Sequence, residues 1–304
     1  MFRLLSKESN IFSVPVYIGV LLVIVISFNI LDFTHLNLVS AAITFAGIAL
    51  GYFCFNALGL TYDTHLPLFL YTAFVFALYP GDLDIGIAIA LFTNSIILLV
   101  LTNVDMIIRK NSYVLVGAIL ALNFIFLPTT WPMSLFVIFH IIGTSDRIGL
   151  HFFRLFFGML LVALSYFGLA FFLGMDAWDP AYFPFGKFSQ SVYLKDLIFL
   201  IPVALLLIVA VWDHFRNFNR KSPVSKFKYT FVLVFSAAQV ITIWLYMGAN
   251  FEYLLLLILP ASIILSRLMR FLRKPWLQEA TFWLIILSLV IFKIGDFIPL
   301  NIKL

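Results

Sequence analysis

The sequence predicts an all-α fold: a polytopic transmembrane bundle of about eleven helices with its N-terminus in the cytoplasm. Three observations predict it. Of the 304 residues, 63% are hydrophobic and only 11% are charged, against about 45–50% and roughly 25% in soluble domains. A water-soluble fold of this length has too little interior to hide so much apolar side chain, whereas lipid accepts it. The apolar residues also fall into runs near the ~20 residues that a helix needs to cross a bilayer. Finally, the basic residues gather on alternate connections between those runs.

The elements follow in order. The opening MFRLLSKESNIF sets Arg3 and Lys7 before the first run, 14–31, and no small-residue cleavage site follows it, so it reads as a retained signal-anchor. Residues 37–59 form a second full-length run, and 66–80 a shorter one that opens with TYDTHLPLF. The run 85–103 leads to the basic pair Arg109 and Lys110. Runs 113–128 and 132–144 are short and meet at FLPTTWPMS, which reads either as two thin helices or as one broken, re-entrant pair. The long run 148–174 precedes the aromatic outer segment 175–196, MDAWDPAYFPFGKFSQSVYLKD. Rings of this kind settle at headgroup level or form a lid over a lipid-substrate site. The runs 197–212, 229–247, 253–266 and 277–294 complete the set, separated in part by the basic cytoplasmic loops 213–228 and 267–275.

Alternating these segments from a cytoplasmic start puts all but Lys187, Lys195, Lys293 and Lys303 of the 19 Lys and Arg residues at or near the cytoplasmic side. Dropping any one segment would reverse every connection after it, so the charge pattern supports all of them together. Residues 1–304 read as a single integral membrane domain, without a soluble domain, tail or visible repeat.

Composition also excludes chemistries. The single Cys54 rules out an intramolecular disulfide and a Cys-rich metal centre, and its apolar run marks it as a small core residue. Phosphate-binding glycine loops, HExxH and GxSxG are absent. The histidines His35, His65, His140, His151 and His214 are scattered, so no metal site and no cofactor is expected from them. The net charge of +5 follows membrane sidedness rather than nucleic-acid binding. Ionisable groups inside apolar runs are the better lead, since each costs free energy unless paired or wetted. His151 and Arg154 in IGLHFFRLFFGML share a helix face. Arg154 either snorkels to the headgroups or holds a phosphate or carboxylate. Glu252 stands at an outer helix start, where its charge suits the helix dipole. Asp32 and His35 close the first helix as a turn and cap.

TYDTHLPLF resembles the stretch of GT-C-type glycosyltransferases in which a tyrosine, an acid and a Pro-Leu pair open the second helix, a few tens of residues after the catalytic acid. The text after it is similar too: Gly81 and Asp82 ending a short helix, the pair Arg109 and Lys110, and an apolar helix ending at Pro128. NFEYLLLLILPASIILSRL resembles the family's late segment. The opening MFRLLSKESNIF looks like that of an uncharacterised group of polytopic proteins from Bacteroidota. The GT-C resemblance implies transfer of a sugar from a polyprenyl-phosphate carrier on the outer face, with a divalent metal as an option. Asp32 would be the base, with Asp63 or His65 as helper. Arg154 or Lys187 would anchor the phosphate, and His151 and Glu252 complete the substrate-binding candidates.

Three functional readings stand side by side for this bacterial inner-membrane protein. One is a GT-C-like transferase using a lipid-linked sugar. Another is a non-catalytic subunit or scaffold of a larger envelope complex, with other membrane subunits as partners. The third is a transporter or flippase. All three have membrane lipid as a partner and none involves nucleic acid; whether the protein is an enzyme stays open. Residues 37–59 discriminate among them: if they cross the membrane, Asp32 and Asp63 lie on opposite sides of it.

Overall fold

The computed structural model describes residues 2–9, 12–29, 35–60, 64–81, 83–103, 105, 109, 111–186, 197–272 and 274–295. Among them, one helical turn at Phe2–Leu5 precedes eleven long helices. These are α1 (Ser13–Asn29), α2 (His35–Leu58), α3 (His65–Leu78), α4 (Ile85–Leu101), α5 (Tyr113–Phe126) and α6 (Trp131–Thr144). They continue with α7 (Ile148–Phe172), α8 (Ile201–Arg216), α9 (Pro223–Tyr246), α10 (Leu255–Phe271) and α11 (Pro275–Gly295). Each predicted segment has its helix. The basic connections are shorter than expected, because Ser222 caps α9 by accepting from Ser225 N–H at 3.4 Å and Pro223 then fixes its first turn. Residues 223–228 are therefore helical, as are 213–216 at the end of α8.

Hydrogen bonds between connections sort the helix ends into two groups. At one end the Lys7 carbonyl accepts from His65 N–H at 3.4 Å, and Glu8 bridges Thr64. Lys228 Nζ there donates to the carbonyls of Ala57 and Leu58, at 3.1 and 2.8 Å, closing the C-terminus of α2. Arg267 donates to Ser225 Oγ at 2.8 Å. At the far end Ser40 Oγ donates to the Leu83 carbonyl at 2.5 Å, Asn29 to the Tyr79 hydroxyl at 2.7 Å, and Lys293 Nζ to the Tyr79 carbonyl at 3.0 Å. The 24-residue α2 thus runs from one end to the other, about 36 Å at 1.5 Å per residue. Successive helices alternate in direction, as the charge pattern requires. Pro128–Thr130 form a turn at the far end, held by Thr129 against Tyr253 at 3.1 Å and by Trp131 against Tyr246 at 2.8 Å. Residues 113–144 are accordingly two thin helices rather than a re-entrant pair, each 14 residues and about 21 Å long.

Packing grades from centre to rim. In α10, 78% of the apolar window is buried, against 11% in α7. α10 touches α3, α4, α8, α9 and α11, and its Ser262 returns its hydroxyl to the Ile258 carbonyl at 2.7 Å. α7 leans on α5 through two glycines. A Cβ at Gly117 would sit 2.0 Å from the Leu155 carbonyl oxygen, and one at Gly158 would sit 2.0 Å from that of Val114. Only hydrogen fits at either site, so the two backbones touch. α6, which joins them in sequence, packs chiefly on α9 and stands away from this pair.

Two outcomes are expected. In a Cys54→Ala background, a membrane-impermeant maleimide should label Asn250→Cys from outside intact cells, and Asp146→Cys only after permeabilisation. Gly158→Ala should lower the melting temperature of the detergent-purified protein by the equivalent of about 1–3 kcal/mol, whereas Gly168→Ala, which meets nothing within 4 Å, should leave it unchanged.

Candidate functional site

Because α6 stands off from the α5–α7 pair, the three helices enclose a groove of about 820 Å³ open to the side of the bundle. Leu120 and Phe124 of α5, Ser134 and Ile138 of α6, and Phe153 and Phe167 of α7 are among its walls. Residues after α7 roof the far end with Trp178, Tyr182 and Phe183. The roof is pinned by rings and one hydroxyl. Tyr182 stacks on Phe124 at 6.3 Å and meets Trp178 edge-on at 6.3 Å, while Phe185 tilts against Trp131 at 5.5 Å. The Tyr182 hydroxyl lies 3.1 Å from both the Ala177 carbonyl and the Tyr166 hydroxyl. Burial, with the Tyr166 contact, pushes its phenol up to about 12, so it stays protonated as a donor.

Among the described residues, no acid, base or thiol lines this groove. Its polar atoms are the Ser134 hydroxyl, the Trp131 ring nitrogen already bound to Tyr246, and the Tyr182 hydroxyl. Its described walls are almost wholly apolar. Along α7 it extends from Phe153 to Phe167, about 21 Å, which exceeds the ~15 Å depth of one leaflet.

The residues singled out in the sequence are spread over both ends. Asp32, Asp63 and Lys187 lie outside the described residues. His65 opens α3 at the basic end with its ring 6.2 Å from that of Tyr17. His151 is buried at the same end but against α5, its ring 4.9 Å from Tyr113. Arg154, half-buried one residue on from Phe153, donates to Asn111 Oδ1 at 3.2 Å. His151 and Arg154 thus both face the start of α5. Glu252 is at the far end, where its carboxylate accepts from Asp84 N–H at 3.2 Å. With Lys293 it lines a separate pocket of about 250 Å³. Among the described residues, no three of His, Cys, Asp and Glu gather to hold a metal ion.

Sequence reasoning passed over the run Thr93-Asn94-Ser95 in the middle of α4. Thr93 donates to Asn123 Oδ1 of α5 at 2.6 Å, and Ser95 to the Gly47 carbonyl of α2 at 3.3 Å. Three consecutive polar residues inside an apolar run were the available signal. Cys54 is buried, with Sγ 3.6 Å from the Ser95 carbonyl.

Eleven alternating helices, six of them long and apolar enough to cross a bilayer, define a multi-pass membrane protein. The chain belongs to a family of unknown function, DUF6427, whose model matches residues 1–299. No curated protein and no solved structure matches it.

Tyr182→Phe keeps the ring and removes the hydroxyl. It should speed limited proteolysis within residues 175–186 while shifting the melting temperature of the bundle by no more than the equivalent of about 1 kcal/mol, one hydrogen bond's worth.

Proposed function

We propose that this protein, in the bacterial inner membrane, holds the tail of a long-chain phosphate-bearing lipid of the polyprenyl-phosphate kind in the groove between α5, α6 and α7. The observation that carries the reading is the groove itself: about 820 Å³, lined almost wholly by apolar side chains and roofed by aromatics. A tail moving from bilayer to groove gains little hydrophobic free energy, because lipid is as apolar as the walls. Selection then rests on shape, length and the ends of the ligand. The reach from Phe153 to the roof suits a chain longer than one leaflet, and Arg154, one residue on from Phe153, is a cation on the same helix for the phosphate.

The same reach favours a second reading, in which the bound lipid is moved between leaflets. Glycosyl transfer has less support. His35 and Thr64, which flank the segments containing Asp32 and Asp63, are separated by the whole length of α2.

The test is extraction and mass spectrometry of lipids that remain with the purified protein. Polyprenyl phosphates should be enriched over bulk phospholipid, and Ala163→Trp or Ser134→Trp, which fill the groove, should remove the enrichment. Retained lipid that mirrors the bulk membrane and ignores both variants would sink the proposal.

A further inference from the structure

A second set of polar side chains lies at the basic end, on the side of α5 and α6 that faces α9 rather than the groove. Arg109, just before α5, is only 6% exposed. Its guanidinium rests over the Phe227 ring, with Cζ 4.8 Å from the centroid. Among the described residues it meets neither a carboxylate nor a hydrogen-bond acceptor. A cation–π contact returns less than the burial of an unpaired charge costs. The ring alone does not offset the burial.

His140 of α6 meets the same ring, its centroid 6.0 Å from that of Phe227 and 5.0 Å from that of Phe231. It is 9% exposed and its Nε2 has no partner. Phe227 is thus the ring that Arg109 and His140 share. The Tyr113 hydroxyl, one turn on from Arg109, engages Thr144. Two nitrogen-bearing side chains, both more than nine-tenths buried, thus lie against one phenylalanine ring, and among the described residues neither is hydrogen-bonded to an acid through its side chain. An anion would satisfy both groups.

We infer that Arg109 and His140 form a binding site for a phosphate group at the basic face of the bundle. The guanidinium fork donates to two phosphate oxygens and the imidazole Nε2–H to a third. At this depth the phosphate comes either from a lipid headgroup or from solution. The site is independent of the groove, since His140 turns toward α9 while Ile138 turns toward the groove wall.

The test uses full-length protein in phosphatidylcholine nanodiscs, with the melting temperature followed against inorganic phosphate and against added phosphatidylglycerol. The wild type should be stabilised by at least one probe. Arg109→Lys and His140→Phe, which keep the bulk, should weaken the response about tenfold, the effect of losing one charge-assisted hydrogen bond of ~1.4 kcal/mol, and Arg109→Gln should abolish it. Response to inorganic phosphate assigns a soluble phosphate; response to phosphatidylglycerol alone assigns a headgroup. If Arg109→Lys and His140→Phe respond to both probes as the wild type does, or if the wild type responds to neither, the site is refuted. The lipid-extraction experiment on the groove variants is unaffected by either result.

Discussion

Where Gly117 faces Leu155 and Gly158 faces Val114, two helix backbones rest on each other with no side chain between them. Helices in lipid gain nothing from simple hydrophobic association, so close backbone approach and the dispersion contacts it allows are what hold such a pair. The contact fixes α7 against α5 and leaves α6, tied to α9 by Phe136 against Phe231 and Phe235, on a different line. The space between is the groove. Its roof depends on the same contact, because the chain leaving α7 returns over Phe124 and Trp131 only if α7 runs beside α5.

A second constraint is the satisfaction of polar groups away from water. Tyr52 and Thr72 join α2 to α3 at 2.6 Å, Ser95 joins α4 to α2, and Thr93 joins α4 to α5. Such bonds contribute about 0.6 kcal/mol each in membranes, little in sum but directional where every other contact is slippery. They specify which neighbour each helix takes. α10, buried on nearly every face, is the post around which those neighbours stand.

The helices were legible because lipid imposes one length and one composition on anything that crosses it, and because basic residues record the side on which each connection stays. The adjacent faces were not. Leu120 and Phe124, which line the groove, belong to the same residue classes as Ile119 and Val116, which fill the core. Apolar sequence carries no mark of which face is left uncovered. His151 and Arg154 were readable as one face, but Tyr113 and Asn111, their partners, come from a different helix and its approach. Arg109 read as a loop cation beside Lys110. Its burial depends on Phe227, which only tertiary packing brings near. TYDTHLPLF read in two ways, and the contact of Thr64 and His65 with Glu8 and Lys7 puts its described part beside the N-terminus.

The brevity of α5 and α6 has a consequence for the membrane itself. Two neighbouring helices of about 21 Å sit beside a hydrocarbon layer about 30 Å thick. Leu115, Phe126, Leu135 and Phe139 are exposed on them. Lipid against that wall must shorten or tilt its tails to match, at a fraction of a kcal/mol per Å. The bilayer is therefore pinched along one flank of the protein, the flank onto which the groove opens. Thinning of that kind would draw the headgroups of the two leaflets together along that flank and shorten the path between them.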